Sequence, residues 1–87
     1  MRIITYNVNG IRAAIKKGFV DWLEATQADM VCLQEIKIDS LQFPYSLFEN
    51  LGYECIVFPA EKAGYSGTAI LTKITPKEII KGCDIEE

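Results

Sequence analysis

The 87-residue chain contains no histidine, so any site that needs this residue as a base or as a metal ligand is incomplete within it. Its three cysteines, Cys32, Cys55 and Cys83, show no Cys-x-x-Cys spacing, which argues against a zinc site and a disulfide framework. No apolar run approaches the roughly 20 residues of a membrane-spanning helix, and no charged leader precedes the first strand. We therefore expect a reduced, soluble, cytoplasmic protein.

Basic residues are also scarce, with 9 Lys and Arg against 12 Asp and Glu and a pI of about 4.9. This balance argues against a general polyanion-binding surface, because such a surface is normally basic. It is still compatible with a local basic patch. Hydrophobic residues make up 49% of the chain, which is enough for the core of one small domain. A chain of this size buries only about two-thirds of its unfolded surface, so we expect a thin margin of stability.

Two apolar runs of strand length flank an amphipathic stretch in the first part of the chain. Residues 2–8 and 29–34 predict buried strands, because β-branched and aromatic residues dominate the first run and the second is apolar without alternation. Between Ile11 and Gln27 the apolar positions recur at spacings of three and four, which predicts a helical face with Phe19 and Trp22 in the core. Gly18 interrupts this face, so we expect two short helices or one bent helix.

The second part of the chain predicts an α/β fold of further strands and one helix. Residues 37–43 form a predicted loop, and Pro44 suits the first turn of a helix over residues 45–51 that ends at a Gly52 cap. Strands are predicted over residues 53–58, 68–72 and 78–80, with a flexible connection over residues 60–67. The strand–helix–strand order at the start implies a right-handed crossover and a parallel pair.

Polar side chains lie at the ends of the two parallel strands, where ligands bind in sheets of this kind. Asn7 ends the first strand and Glu35 follows the second, so both are expected at the same edge of the sheet. Two interpretations stay open at this point. A charged residue after a buried strand is commonly a solvated strand end. Alternatively, one carboxylate with a supporting amide suits Mg²⁺ or Mn²⁺, because Mg²⁺ keeps several waters and shares substrate phosphate oxygens.

Basic and aromatic residues near this edge permit a second pair of interpretations. Arg12, Lys16 and Lys17 are either ordinary helix-surface charges, or Arg12 and backbone N–H groups hold a phosphodiester at the start of the helix. Lys37, two residues after Glu35, could reach the same edge. The segment Gly64-Tyr65-Ser66-Gly67 is either a simple turn or an exposed ring that a nucleic-acid groove accepts.

Three segments together resemble the exonuclease III family, whose members are abasic-site endonucleases of the endonuclease/exonuclease/phosphatase superfamily. These segments are residues 4–13, with Asn-x-Asn-Gly-Ile-Arg-Ala, residues 32–37, with Leu-Gln-Glu-x-Lys, and residues 64–71. The resemblance implies a Mg²⁺-dependent hydrolase that cuts double-stranded DNA 5′ to abasic sites and degrades or repairs 3′ ends. It also implies a four-layer α/β sandwich of roughly 250 residues, of which residues 1–87 form the N-terminal part as a single partial domain.

The resemblance assigns a role to each candidate residue. Glu35 is the implied metal ligand, and Asn7 is the second oxygen contact close to the metal and the catalytic residues. Asn9 supports this pair, and Lys37 orients the carboxylates of the metal site. The implied DNA contacts are made by Arg12, Lys17 and Tyr65, in a loop shaped by Gly64, Ser66 and Gly67.

The chain also lacks most of the catalytic machinery that the family uses. A catalytic tyrosine, an Asp/Asn pair and an Asp–His pair are expected beyond the matched part, so the isolated chain is expected to be inactive and to self-associate through its unpaired sheet. Two alternatives remain: a phosphatase or phosphodiesterase of the same superfamily acting on a substrate other than DNA, and a non-catalytic truncated or binding fragment.

Overall fold

The computed structural model describes residues 1–59 and 67–74, in which four strands form one sheet and three helices pack against it. The elements are β1 (Ile3–Asn7), α1 (Ile11–Lys16), α2 (Phe19–Thr26), β2 (Met30–Gln34), α3 (Tyr45–Glu49), β3 (Glu54–Phe58) and β4 (Thr68–Thr72). The predicted α/β class is confirmed, and the predicted strand at residues 78–80 lies outside the described residues.

The sheet has the strand order β1-β2-β4-β3. Strands β1 and β2 are parallel, as the strand–helix–strand pattern predicted, and β4 runs antiparallel to both β2 and β3. The register of the parallel pair places Ile3 opposite Met30 and Asn7 opposite Gln34. The carboxyl ends of β1 and β2 therefore lie side by side at one edge of the sheet.

The predicted break at Gly18 is observed as two separate helices. Gly18 has a φ of 103°, in the left-handed region that favours glycine, and it caps the start of α2. Its carbonyl accepts the first hydrogen bond of that helix, from the Trp22 amide at 3.1 Å. One glycine therefore divides a continuous apolar pattern into two short helices.

The helix α3 begins at Tyr45, as predicted, and is two residues shorter at its end than predicted. Pro44 is the residue before the helix, not part of its first turn, and the helix ends at Glu49. Gly52, with a φ of 95°, donates its amide to the Glu49 carbonyl, and Tyr53 donates to Phe48. These two bonds form a Schellman pattern, in which the glycine satisfies the last carbonyls of the helix. The predicted Gly52 cap is thus present.

The core lies on one face of the sheet, between its strands and the helices. On that face the paired positions of β2 and β4 are buried, and β3 contributes the buried Val57 and the half-buried Cys55. These residues pack against buried residues of each helix. The buried hydrophobic residues are Val8, Ile11, Phe19, Leu23, Ala28, Val31, Leu33, Ile36, Phe43, Phe48, Tyr53, Val57, Ala69 and Leu71. Phe19 is in the core as predicted, but Trp22 is only partly buried and packs against the core from its edge.

The opposite face of the sheet is not covered by any described helix. Thr5, Cys32, Ile70 and Ile56 lie in one row across the four strands of this face, and each is exposed or only half-buried. Ile3, on the same face, is 57% exposed. Apolar side chains are therefore accessible on this face of the sheet. Among the described residues, no helix is long and apolar enough to span a membrane.

Removal of a core side chain should cost far more stability than the same change on the surface. Leu23 is 0% exposed, whereas Leu41 is 93% exposed, so Leu→Ala at the two positions forms a matched pair. We expect Leu23→Ala to lower the free energy of unfolding in urea by about 2–5 kcal/mol, because it leaves a cavity. Leu41→Ala should change it by less than about 0.5 kcal/mol. Equal losses would contradict the described core.

Alkaline pH should weaken the fold through Cys55. Burial, with a smaller contribution from the Glu49 charge, raises the pKa of the Cys55 thiol from 9.0 to about 11. The folded state therefore favours the neutral thiol. The resulting stabilisation of the fold is complete below pH 9 and is lost as the pH rises through about 11. Burial also raises the pKa of Tyr53 above 10.0, so tyrosine ionisation adds to the loss at higher pH.

The measurement is the free energy of unfolding at pH 8, 9 and 10, since this window precedes most tyrosine ionisation. The free energy of unfolding should fall less between pH 8 and pH 10 in Cys55→Ala than in the unmodified chain. The matched control Cys32→Ala should show the same fall as the unmodified chain. The same decline in both variants would exclude Cys55 as its source.

Candidate active site

Asn7 and Glu35 meet at the carboxyl edge of the parallel strands. Asn7 is the last residue of β1 and lies opposite Gln34, so the next residue along the chain, Glu35, comes within reach of its side chain. The Asn7 Nδ2 donates a hydrogen bond of 2.7 Å to Glu35 Oε2. A hydrogen bond to a charged acceptor is about twice as strong as a neutral one, so it restrains the carboxylate.

The backbone around this pair is held in an uncommon conformation. Glu35 and Lys37 have φ values of 56° and 54°, and Asn9 has 46°, all in the left-handed region. Non-glycine residues rarely occupy this region, and those that do cluster at functional sites. The conformation is stabilised by hydrogen bonds from the Gly10 amide to the Glu35 carbonyl at 2.7 Å and from the Ile11 amide to the Ile36 carbonyl at 3.0 Å.

A continuous chain of hydrogen bonds, which we call the rim network, joins Lys37, Asn9, Asn7 and Glu35. The Lys37 Nζ donates to the side-chain Oδ1 of Asn9 at 2.6 Å, and the backbone N–H of Asn9 donates to Asn7 Oδ1 at 2.9 Å. Because the Asn7 oxygen accepts this bond, its Nδ2 faces Glu35. The Lys37 ammonium contacts a neutral amide within the network, so its positive charge is not neutralised by that contact.

Arg12 lies at the first turn of α1 and is tied to the loop that follows Glu35. Its Nη2 donates to Gln42 Oε1 at 3.0 Å, and the Gln42 amide in turn donates to Asp39 Oδ1 at 2.8 Å. Sequence reasoning did not identify Gln42, because one polar residue in a loop carries no pattern. The contact restrains the guanidinium on the side of α1 that borders this loop.

The glycine-rich segment before β4 is described only at its last residue. Gly67 has a φ of 75°, and its carbonyl accepts a hydrogen bond of 3.2 Å from the Ile36 amide. The end of this segment is therefore attached to the residue that follows Glu35. The other predicted members of the loop, Gly64, Tyr65 and Ser66, lie outside the described residues.

The donor set around Glu35 fits a magnesium ion better than a zinc ion. Within residues 1–59 and 67–74, no group of three or more His, Cys, Asp or Glu side chains could hold a metal. Glu35 is half-buried, and its Oε1 makes no hydrogen bond to a described residue. One carboxylate is enough for Mg²⁺ when waters and substrate phosphate oxygens supply the other ligands, whereas zinc sites use three or four protein ligands.

Comparison with known proteins was made on both sequence and structure. The model of the endonuclease/exonuclease/phosphatase family matches residues 4–86. An exodeoxyribonuclease from Bacillus subtilis is 40% identical over 100% of this chain and 34% of its own length. Exodeoxyribonuclease III from Haemophilus influenzae is 43% identical over 94% of this chain and 30% of its own length. The chain thus spans about a third of the length of the curated relatives that it matches.

Solved structures show the same likeness. An AP endonuclease from Archaeoglobus fulgidus superimposes with a TM-score of 0.83 and 32% identity, over 95% of this chain and 32% of its own. A 3′ phosphatase from Neisseria, bound to a product DNA hairpin, has a TM-score of 0.75 and 30% identity, over 91% of this chain and 30% of its own. The four-strand sheet and its helices therefore form a unit that recurs inside larger proteins.

Gly10 should be required for the backbone conformation of the rim. An added Cβ at Gly10 would lie 4.0 Å from Lys37 Cδ, which is an ordinary contact. The loss of stability in Gly10→Ala is therefore expected to come from backbone strain, because the φ of Gly10 is 97°. The matched control is Gly52→Ala, with a φ of 95° and no atom within 4 Å. Both variants should lose about 1–2 kcal/mol of unfolding free energy.

Only Gly10→Ala should also accelerate amide exchange at Ile11, because the hydrogen bonds from residues 10 and 11 to residues 35 and 36 share this turn. Hydrogen exchange of both variants measures this effect. Unchanged exchange at Ile11 in Gly10→Ala would contradict the proposed dependence of the rim on this glycine.

Proposed function

The chain belongs to the endonuclease/exonuclease/phosphatase family, and we propose that it is the N-terminal part of a Mg²⁺-dependent DNA-repair nuclease. The proposed reaction is hydrolysis of DNA phosphodiester bonds 5′ to abasic sites and from 3′ ends. The observation that carries the proposal is the Asn7–Glu35 hydrogen bond at the carboxyl edge of two parallel strands. Relatives named as exodeoxyribonucleases and AP endonucleases support the choice of DNA as the substrate.

Glu35 is the proposed metal ligand, through the carboxylate oxygen that Asn7 leaves open. A divalent ion held by Glu35 would supply charge neutralisation and polarisation of the phosphodiester. Asn7 holds the Glu35 carboxylate in one orientation with its Nδ2, and its Oδ1 retains a lone pair for a second contact at the same site. Asn9 keeps the Asn7 amide in this orientation, and Lys37 fixes Asn9.

Arg12 and Lys17 are the proposed contacts to the DNA backbone. Both are exposed on α1 or at its end, and α1 begins directly after the rim network. Restraint of Arg12 by Gln42 reduces the conformational entropy that a phosphate contact would cost. The proposal includes Tyr65 as a groove contact, in a loop formed with Gly64, Ser66 and Gly67, by likeness to the family motif.

The proposal treats residues 1–87 as one partial domain that is inactive alone. Hydrolysis needs a positioned nucleophile in addition to a metal ligand, and the described residues supply one such ligand. A phosphatase acting on a different ester is the second candidate, favoured by the likeness to a 3′ phosphatase. The uncovered sheet face, with Ile3 57% exposed, supports self-association of the isolated chain.

Activity should return when the missing part is supplied. We expect a fusion of this chain to the part of the Bacillus subtilis relative beyond its matched residues to cleave an abasic-site duplex with Mg²⁺. Glu35→Gln should lower the cleavage rate at least about a hundredfold, because it removes the charged ligand, and Asn7→Ala about ten- to a hundredfold, because it frees the carboxylate. Glu24→Gln, on the exposed surface of α2, is the matched control and should retain activity.

The assay compares the abasic-site duplex with a soluble phosphomonoester. Preference for the duplex supports the nuclease, and preference for the monoester supports the phosphatase. Full activity of the Glu35→Gln fusion would exclude Glu35 as the metal ligand.

A further inference from the structure

A cavity of about 270 Å³ lies beside the rim network, between β1 and the α1–α2 pair. Its aromatic lining comes from Tyr6 on β1 and from Phe19 and Trp22 on α2, and its polar lining includes Asn9 and Lys17. The metal site proposed above uses neither the aromatic rings nor the space beside them.

The aromatic rings are already arranged as a stack. The Tyr6 and Trp22 ring centroids are 4.7 Å apart with an interplanar angle of 21°, and those of Tyr6 and Phe19 are 5.7 Å apart at 18°. Phe19 is buried, but Tyr6 remains 40% exposed. The Phe19 and Trp22 centroids are 5.5 Å apart, so both rings lie against Tyr6, and the exposed part of the Tyr6 ring is the surface available to a flat ligand. Aromatic rings of this kind bind bases of any sequence, since every base has a π-face.

The polar residues of the cavity match the remaining parts of a nucleotide. Lys17 is exposed at the end of α1, and its ammonium makes no hydrogen bond or ion pair with any residue in the described part of the chain. Asn9 lines the cavity and accepts from Lys37 through Oδ1, and its Nδ2 donates to no acceptor among the described residues. A cation and an amide donor beside an aromatic ring are the groups that a phosphate and a base edge require.

We propose that this cavity binds one unpaired nucleobase stacked on Tyr6, with the adjoining phosphate on Lys17. A volume of 270 Å³ is just below the roughly 300–1,000 Å³ of pockets for drug-sized ligands, so it fits one base and not a base pair. The base comes from a frayed DNA strand or from a free nucleotide. Binding of a base from a DNA strand rests on the proposed function. Such binding would bring the strand end next to Asn9, which belongs to both the cavity and the rim network.

The chain contains one tryptophan, so the intrinsic fluorescence of Trp22 reports directly on the cavity. The probes for the 87-residue chain, without metal, are dAMP, a short single-stranded oligonucleotide, the same strand with abasic sites, and inorganic phosphate. We expect saturable quenching by the oligonucleotide and none by the abasic strand or by phosphate. Quenching by dAMP as well identifies free nucleotides as a second source. No quenching by either base-containing probe, or equal quenching by the abasic strand, would overturn the proposal.

Variants separate stacking from charge. Tyr6→Leu should weaken oligonucleotide binding about tenfold or more, because it removes the stacking face, whereas Tyr6→Phe keeps the ring and should bind as the unmodified chain does. For Lys17→Gln, the plot of the logarithm of the binding constant against the logarithm of the salt concentration should become less steep by about 0.7. This is the change expected for the loss of one phosphate contact to a single strand. Lys16→Gln is the matched control, since Lys16 is equally exposed but does not line the cavity.

Circular dichroism of Tyr6→Phe and Lys17→Gln checks that both variants fold, so the test does not depend on Tyr6→Leu. Equal salt slopes for Lys17→Gln and Lys16→Gln, or weaker binding by Tyr6→Phe than by the unmodified chain, would contradict the assigned roles. Quenching without DNA cleavage by the fusion protein would exclude the proposed nuclease and keep the base site. Cleavage without quenching would exclude the base site alone.

Discussion

The parallel pairing of β1 and β2 is the constraint on which the rest of the molecule depends. Its register places Asn7 opposite Gln34, and only this register brings the Asn7 amide to the Glu35 carboxylate. A shift of one residue would turn every side chain of β1 to the other face, and would move Tyr6 away from Phe19 and Trp22. The hydrophobic core and the candidate site are thus determined by the same strand pair.

The rim network restrains the single Glu35 carboxylate without a second acidic residue. Asn7 and Asn9 are uncharged, so the network orders Glu35 by hydrogen bonds rather than by charge pairs. The left-handed backbone at Asn9, Glu35 and Lys37 costs free energy that the surrounding hydrogen bonds must offset. Asn9 also lines the neighbouring cavity, so the cavity and the rim network share this residue.

Much of this arrangement could be predicted from the sequence, because it follows from local patterns. The strand–helix–strand order predicted the parallel pair, Gly18 predicted the break between the helices, and the strand ends predicted that Asn7 and Glu35 would be neighbours. The Arg12–Gln42 bond and the partial exposure of Trp22 could not be predicted in this way. Both depend on how the loop and the edge of β1 pack in three dimensions, and neither leaves a periodic signal in the sequence.

The central claim is that Asn7 and Glu35 form one restrained unit within this chain, and a double-mutant cycle tests it most directly. The measurement is the free energy of unfolding of the unmodified chain, Asn7→Ala, Glu35→Ala and the double variant, since Glu35→Gln would keep an acceptor for the Asn7 amide. A direct, charge-assisted hydrogen bond predicts a coupling free energy of about 1 kcal/mol, within the range of about 0.5–3 kcal/mol that residues in contact show. Effects that add to within about 0.3 kcal/mol would contradict the account, because they would mean that the two side chains do not interact.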